Sequence, residues 1–375
     1  MREPCVIFAG GGTGGHLFPG LAVAESLVRM RPGASSLFAC SDRPLDAEIL
    51  SRAGASFEPL PAKPVSLRPR GLWRFLRGWG PSVRRGTALI RAARSTGCSP
   101  VVAAMGGYAA APVVMAARAE RCPVVLVNLD ARPGKANRWI ARHTARTFTA
   151  ASVEPMPEGW EWVRPIVRDA ARASGPRAGY RRGLGLDPDL PVLMVTGGSQ
   201  GARSINALMR TLVESRPDAL RGWQVLHQTG EHDNAVLIAA YEARGVRAIV
   251  QRFSDRMAEW WGGAELAVSR AGAGSVAECW ANSVPTLFLP YPYHRDEHQR
   301  FNARALERAG AAEVVRDRIE PGANMADAGE ALTRLLGDAP ARNRMVQAIR
   351  GLGPADGAER VAEGILEVWS RASVT

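Results

Sequence analysis

Between Glu58 and Glu120 the chain has no acidic residue, while Lys63, Arg68, Arg70, Arg74, Arg77, Arg84, Arg85, Arg91, Arg94 and Arg118 fall inside that stretch. Cysteine is also scarce. Cys5, Cys40, Cys98, Cys122 and Cys279 are scattered, odd in number and never spaced Cys-x-x-Cys, which excludes a zinc ribbon and a disulfide framework and suits a reducing cytosol. No apolar run approaches the roughly 18 residues of a membrane span. The amino terminus enters a strand pattern without a charged leader or apolar core, so a cytosolic chain, peripheral to a membrane at most, is expected. No Gly-Lys-Ser/Thr follows any glycine turn, which excludes a Walker loop.

What remains is ordinary globular material. Of 375 residues, 46% are hydrophobic and 22% charged, enough for two or three packed domains and too apolar for disorder. The net charge of +12 leaves nucleic acid, anionic lipid or an anionic substrate open as partners.

Short apolar runs alternate with helical patterns throughout. Strands are expected at 5–9, 36–39, 101–104, 124–127 and 147–149, and again at 192–196, 224–228, 248–251, 266–269 and 286–289. Helices are expected at 19–30, 45–53, 84–96, 110–121 and 135–143, then starting near Ser204, Ala235, Arg256, Ser275, Gln299 and Ala326. Such alternation predicts an α/β fold with parallel sheets. The aperiodic, Pro-, Gly- and Trp-rich residues 152–185 hold the expected boundary. The domains are read as 1–163, 164–345 and a terminal helical piece, 346–375, packing back toward the first.

Two glycine turns stand out. Gly10-Gly11-Gly12-Thr13-Gly14-Gly15-His16 follows one strand, and Gly197-Gly198-Ser199-Gln200-Gly201-Ala202-Arg203 follows another. Each leads into a helix, the unit that presents N–H groups and a helix N-terminus to an anion. A dinucleotide fold adds an acid closing the second strand; Asp42 reads as too late for it. His16, at a helix start, is either a capping residue or a ring held neutral for proton transfer. Further on, Ser269-Arg270-Ala271-Gly272-Ala273-Gly274-Ser275 offers small residues for a diphosphate to approach. Glu278 is either a ribose acceptor or an acid favoured by the helix dipole. His298 and Gln299 project from the next helix start. His294 and His298 are four apart, but no third metal ligand is apparent.

These elements, in this order, resemble the MurG glycosyltransferase family over residues 5–370. The carrying text is Gly11-Gly12-Thr13-Gly14-Gly15-His16-Leu17-Phe18-Pro19-Gly20-Leu21-Ala22, Met105-Gly106-Gly107-Tyr108, Gly198-Ser199-Gln200-Gly201-Ala202-Arg203-Ser204-Ile205-Asn206, the Ser269 segment, and His298-Gln299 with Asn302-Ala303. The resemblance implies a GT-B fold of two Rossmann-like domains facing a cleft. It implies inverting transfer of N-acetylglucosamine from UDP-N-acetylglucosamine to the 4-hydroxyl of a polyprenyl-diphosphate-linked muramyl-pentapeptide, with no metal or other cofactor, in peptidoglycan synthesis. It implies that Ser199, Gly272, Ala273, Gly274 and Ser275 face the donor diphosphate. Ser254 would then stand by the uracil, Glu278 by the ribose, and His298 and Gln299 by the sugar. Arg168 matches the family's linker arginine and would stand by the donor. Thr13, Gly14, Gly15 and His16 would meet the transferred sugar and the acceptor diphosphate, with His16 as the base. Gly106, Gly107, Tyr108, Asp130 and Asn137 fall on the acceptor side. There the chain departs from the family: Val127-Asn128-Leu129-Asp130 replaces His-Glu-Gln-Asn.

Leu72, Trp73, Phe75, Leu76 and Trp79 interleave with Arg70, Arg74 and Arg77, the composition of an interfacial helix on anionic lipid. The resemblance places the enzyme peripherally on the cytoplasmic face of the inner membrane. Other readings compete: a related GT-B transferase acting on another acceptor, a UDP-N-acetylglucosamine 2-epimerase, which shares the architecture, a nicotinamide-dependent oxidoreductase, weakened by the missing ribose acid, and a basic nucleic-acid-binding protein, for which no binding motif is present.

Overall fold

The computed structural model describes residues 3–374 except 13, 66–67, 199–200 and 294–296. The chain divides into two compact units, one formed by residues 1–168 with 356–375, the other by 169–355.

In the first unit, β1 (Pro4–Gly10), β2 (Ser35–Ser41), β3 (Phe57–Leu60), β4 (Ser99–Gly106), β5 (Val124–Asn128), β6 (Arg146–Thr149) and β7 (Trp160–Trp162) form one sheet in the order β3-β2-β1-β4-β5-β6-β7. Every pairing is parallel. The central strands are continuous apolar runs because both faces are covered: Val6, Ile7, Phe8, Val101, Val102, Val125 and Leu126 are buried. The covering helices include α1 (Gly14–Met30), α2 (Pro44–Arg52), α3 (Pro69–Ser95), α4 (Ala110–Ala119) and α5 (Lys135–Ile140). The terminal helix Gly357–Val374 packs on α1 in this same unit, with Val361 and Ile365 buried.

The second unit opens with α6 (Arg177–Gly183) and repeats the plan. Its strands β8 (Val192–Thr196), β9 (Gln224–Gln228), β10 (Ala248–Gln251), β11 (Leu266–Ser269), β12 (Thr286–Phe288) and β13 (Ala312–Val314) run parallel in the order β10-β9-β8-β11-β12-β13. Between them lie α7 (Arg203–Ser215), α8 (Asn234–Glu242), α9 (Met257–Gly263), α10 (Ala273–Asn282), α11 (His298–Asn302) and α12 (Arg304–Arg308).

In both sheets the strand order reverses once, at β1/β4 and at β8/β11. Connections leave in opposite directions there, so a crevice opens beyond the carboxyl ends of those strands, where open α/β sheets take their ligands. The segments at 10–16, 105–108, 197–203 and 269–275 leave these four strands, while the one that carries His298 and Gln299 follows β12.

The expected helix at 84–96 is the second half of α3, a 27-residue helix that runs through Pro81 and begins inside the basic segment. From Gly78 onward it is anchored: Gly78, Ser82, Gly86 and Ile90 are buried, and a Cβ on Gly78 would stand 2.2 Å from the Pro61 carbonyl oxygen. Its first turns are not. Leu72, Trp73 and Leu76 are exposed, Phe75 and Trp79 are half-buried against each other, and the Arg77 guanidinium lies over the Trp73 ring. A hollow of about 450 Å³ is lined by Pro69, Arg70, Trp73 and Arg74. Among the described residues, no helix is long and apolar enough to cross a membrane.

Candidate active site

At the β1/β4 switch point the backbone turns tightly. The β1–β4 register slips between Ala9 and Gly10, and the chain leaves both strands through glycines of positive φ: Gly11 at 152° and Gly12 at 90° after β1, Gly106 at 93° and Gly107 at 79° at the end of β4. Other residues rarely adopt these angles. The turns also approach their neighbours too closely for side chains. A Cβ on Gly107 would stand 3.2 Å from His16 Cε1, one on Gly106 would stand 3.0 Å from Asn137 Oδ1, and one on Gly12 would meet the Tyr108 ring at 2.8 Å.

These contacts gather His16, Gly106, Gly107, Tyr108 and Asn137. Asn137 is itself fixed, donating to Asn128 Oδ1 at 2.9 Å, while Asn128 donates to Thr149 Oγ1 at 2.9 Å and to the Asp130 carbonyl at 2.7 Å. His16 sits in the first turn of α1. Burial drives its pKa below the ordinary value, against the opposing charge of Asp130, the Gly11 carbonyl and Asp46. The ring is therefore neutral at physiological pH and able to accept a proton. Gly14 is buried and Gly15 exposed at the opening of α1. Thr13 lies outside the described residues.

The turn is held by residues that sequence reasoning missed. Asp46 accepts from the Gly12 N–H at 2.7 Å, and the Arg43 guanidinium donates to the Gly12 carbonyl at 2.7 Å. Nothing local marks them; they lie more than thirty residues downstream. Asp42 directly follows β2, at the place a dinucleotide fold gives its ribose acid, which corrects the expectation that it comes too late. It is engaged by Lys63 at 2.5 Å. Arg168, expected by the donor, is in the first unit and donates to Glu25 of α1 at 2.9 Å.

In the second unit the β8 turn is equally constrained. A Cβ on Gly197 would stand 2.2 Å from the Ala202 nitrogen, and one on Gly201, at φ 73°, 2.1 Å from the Thr229 carbonyl oxygen. Gln228 at the end of β9 was not foreseen. Its amide donates to the Gly198 carbonyl at 2.9 Å and its oxygen accepts from the Ser254 N–H at 3.0 Å, tying the glycine turn to the segment after β10. Ser254 is buried, and its hydroxyl accepts from the Arg256 N–H at 3.2 Å. Ser199 lies outside the described residues, as does His294.

The turn after β11 differs. Gly272 and Gly274 have no positive φ, and a Cβ on either would meet nothing within 4 Å. Neither conformation nor packing requires glycine there, so the turn beside Ala273 and Ser275 is simply kept clear. Arg270 is buried, donating to Asp317 at 2.6 Å and to Ser204 at 2.8 Å, and it joins the first turn of α7 to the segments after β11 and β13. Burial alone would raise the Asp317 carboxyl; hydrogen bonds from Ser204 and Asn324, with the Arg270 charge, hold it below its ordinary value.

Glu278, on α10, accepts from the Trp261 indole N–H at 2.8 Å. Burial of the carboxyl group raises its pKa to about 7, against that bond. His298 opens α11, and Gln299 accepts from the Tyr291 N–H at 2.8 Å. The run Asp187-Pro188-Asp189 is an Asp-x-Asp pattern, but it precedes β8, at the end of the sheet opposite the glycine turns, where Asp187 Oδ1 accepts from the Asp189 N–H.

Comparison with known proteins matches both halves of the chain to one family. The glycosyltransferase family 28 N-terminal domain matches residues 6–149, and the family's C-terminal domain matches residues 192–359. A Geobacter metallireducens protein named UDP-N-acetylglucosamine--N-acetylmuramyl-(pentapeptide) pyrophosphoryl-undecaprenol N-acetylglucosamine transferase is 34% identical over 96% of this chain and 98% of its own. An Acidithiobacillus ferrooxidans protein of the same name is 35% identical over 96% and 97%. Among solved structures, Acinetobacter baumannii MurG superposes with a TM-score of 0.69, covering 97% of this chain and all of that one at 23% identity, a likeness of fold.

Proposed function

The chain belongs to the MurG family of glycosyltransferases and has its GT-B fold of two Rossmann-like domains, and from that premise we propose that it moves N-acetylglucosamine from UDP-N-acetylglucosamine to lipid-linked N-acetylmuramyl-pentapeptide. The observation that carries the chemistry is the place of the His16 ring between the glycine turns that end β1 and β4, where burial lowers its pKa. The acceptor's 4-hydroxyl oxygen attacks the anomeric carbon of the donor sugar. The bond to the UDP oxygen breaks with inversion, and the hydroxyl proton passes to His16. UDP leaves with added negative charge. The open turn at 272–275 and the first N–H groups of α10 suit that charge, since fixed amides stabilise it without reorganising. Glu278, braced by Trp261, suits the ribose diol, and His298 and Gln299 the sugar.

The test is turnover of labelled UDP-N-acetylglucosamine with the muramyl-pentapeptide lipid. His16→Ala lowers kcat by about 10²–10⁴-fold with the melting temperature kept; turnover close to wild type removes His16 as the base. Conversion of the nucleotide sugar without any acceptor identifies an epimerase instead.

The exposed first turns of α3 support a peripheral membrane site, with Trp73 and Leu76 entering the interface and Arg70, Arg74 and Arg77 meeting anionic headgroups. Replacing Leu72, Trp73 and Leu76 by Ser lowers the fraction floating with anionic liposomes roughly tenfold. Flotation indifferent to anionic lipid defeats that reading.

A further inference from the structure

Asp46 has no part in the reaction as described, yet it is fully buried beside the turn that carries His16. Its Oδ2 accepts three hydrogen bonds, from the Gly12 N–H at 2.7 Å, the Ser41 N–H at 3.1 Å and the Ser41 hydroxyl at 2.6 Å. Gly11 passes so close that a Cβ there would stand 2.4 Å from the same oxygen. Oδ1 is buried too and bears no hydrogen bond among the described residues. Tying down the turn needs one accepting oxygen, which a neutral side chain supplies. A buried charge with one oxygen unsatisfied is costly and asks for a use of the charge itself.

The groups facing His16 define that use. Asp130 approaches from the segment after β5 and Asp46 from α2, and both favour the imidazolium, as does the Gly11 carbonyl on which the ring is hydrogen-bonded. Tyr108 lies against Gly12, whose carbonyl holds the Arg43 guanidinium. We propose that Asp46 is a positioning residue for the transfer: Oδ2 fixes the turn whose Gly11 carbonyl engages His16, and the carboxylate charge steadies the imidazolium formed when His16 takes the acceptor's proton. This rests on the reading of His16 as the base.

Asp46→Asn separates the two duties. Its carbonyl oxygen takes the place of Oδ2 and keeps the three bonds; its amide takes the place of Oδ1 and removes the charge. The chain has six histidines, so histidine-labelled NMR, assigned with His16→Ala, follows the His16 ring directly. In Asp46→Asn the ring titration moves down by roughly half a unit to one unit. The acidic limb of kcat/KM follows it, kcat falls about tenfold, and KM for the nucleotide sugar is unchanged. Ser41→Ala, which removes one bond and keeps the charge, leaves the ring titration in place and lowers kcat about threefold. A ring titration and kcat equal to wild type in Asp46→Asn overturn the proposal. Where that variant does not fold, a wild-type kcat in Ser41→Ala overturns it. If His16→Ala keeps its turnover, the base reading fails by itself, and the ring titration still reports whether Asp46 acts on His16.

Discussion

The two switch points are built from the same strand order and glycine turns, and they differ in what fills them. At β1/β4 the turns are crowded: glycines of positive φ press against a histidine, and asparagines and a buried aspartate hold the turns in place. At β8/β11 one turn is equally tight, but the other is left open at Gly272 and Gly274. One histidine of that unit, His227, is sealed into the core below, with Nδ1 on the Tyr241 hydroxyl at 3.0 Å and Nε2 on Asn206 Oδ1 at 3.1 Å. A crowded crevice with one poised titratable group suits moving a proton. An uncrowded one floored by backbone amides suits receiving a polyanion.

Substitutions at glycine break this contrast most directly. Gly201→Ala forces a Cβ against the Thr229 carbonyl at positive φ and destabilises the second unit by about 3 kcal/mol, read by urea unfolding. The histidines come next. His227 is held neutral by burial, its pKa lowered from 6.5 to about 3. Between these values the unfolded chain binds a proton that the native one refuses, so stability falls as pH drops. The loss from this group is about 2 kcal/mol between pH 7 and pH 5. His227→Gln, less stable at pH 7, shows a correspondingly flatter pH dependence. The smallest effect is the most telling. Gly272→Ala leaves the melting temperature where it was but weakens UDP binding about tenfold in calorimetry, or about 1.4 kcal/mol. Equal UDP affinity with a lowered melting temperature would make that turn scaffold like its neighbour.

Much of this was legible in the sequence because it is local. β1, β4, β5, β8 and β11 are unbroken apolar runs, and each glycine turn announces itself between a strand and a helix. Of the four edge strands, β10 was legible at 248–251 and the other three were not. Phe57–Leu60 contains a proline, and Trp160–Trp162 and Ala312–Val314 are three residues long, too short for a period to show. α3 was half read, since Pro81 looks like a break and its buried glycines show only once Pro61 is beside them. His16, Gly106, Gly107, Tyr108 and Asn137 proved to be neighbours. The groups that hold them, Asp46, Arg43 and Asn128, and those that hold the second site, Gln228 and Trp261, act across the fold and leave no mark in the spacing of the motifs.

The terminal helix Gly357–Val374 completes the first unit, although the whole second unit intervenes in the chain. Asp356 is paired to Arg164 at 2.7 Å, and Gly357 fits so tightly that a Cβ would stand 1.9 Å from the Arg164 carbonyl oxygen. The polypeptide therefore passes between the bodies twice, and any hinge motion has to flex two tethers together. The second unit is contiguous in the chain, whereas the first unit's sheet and its helix at 357–374 are made with the whole second unit between them.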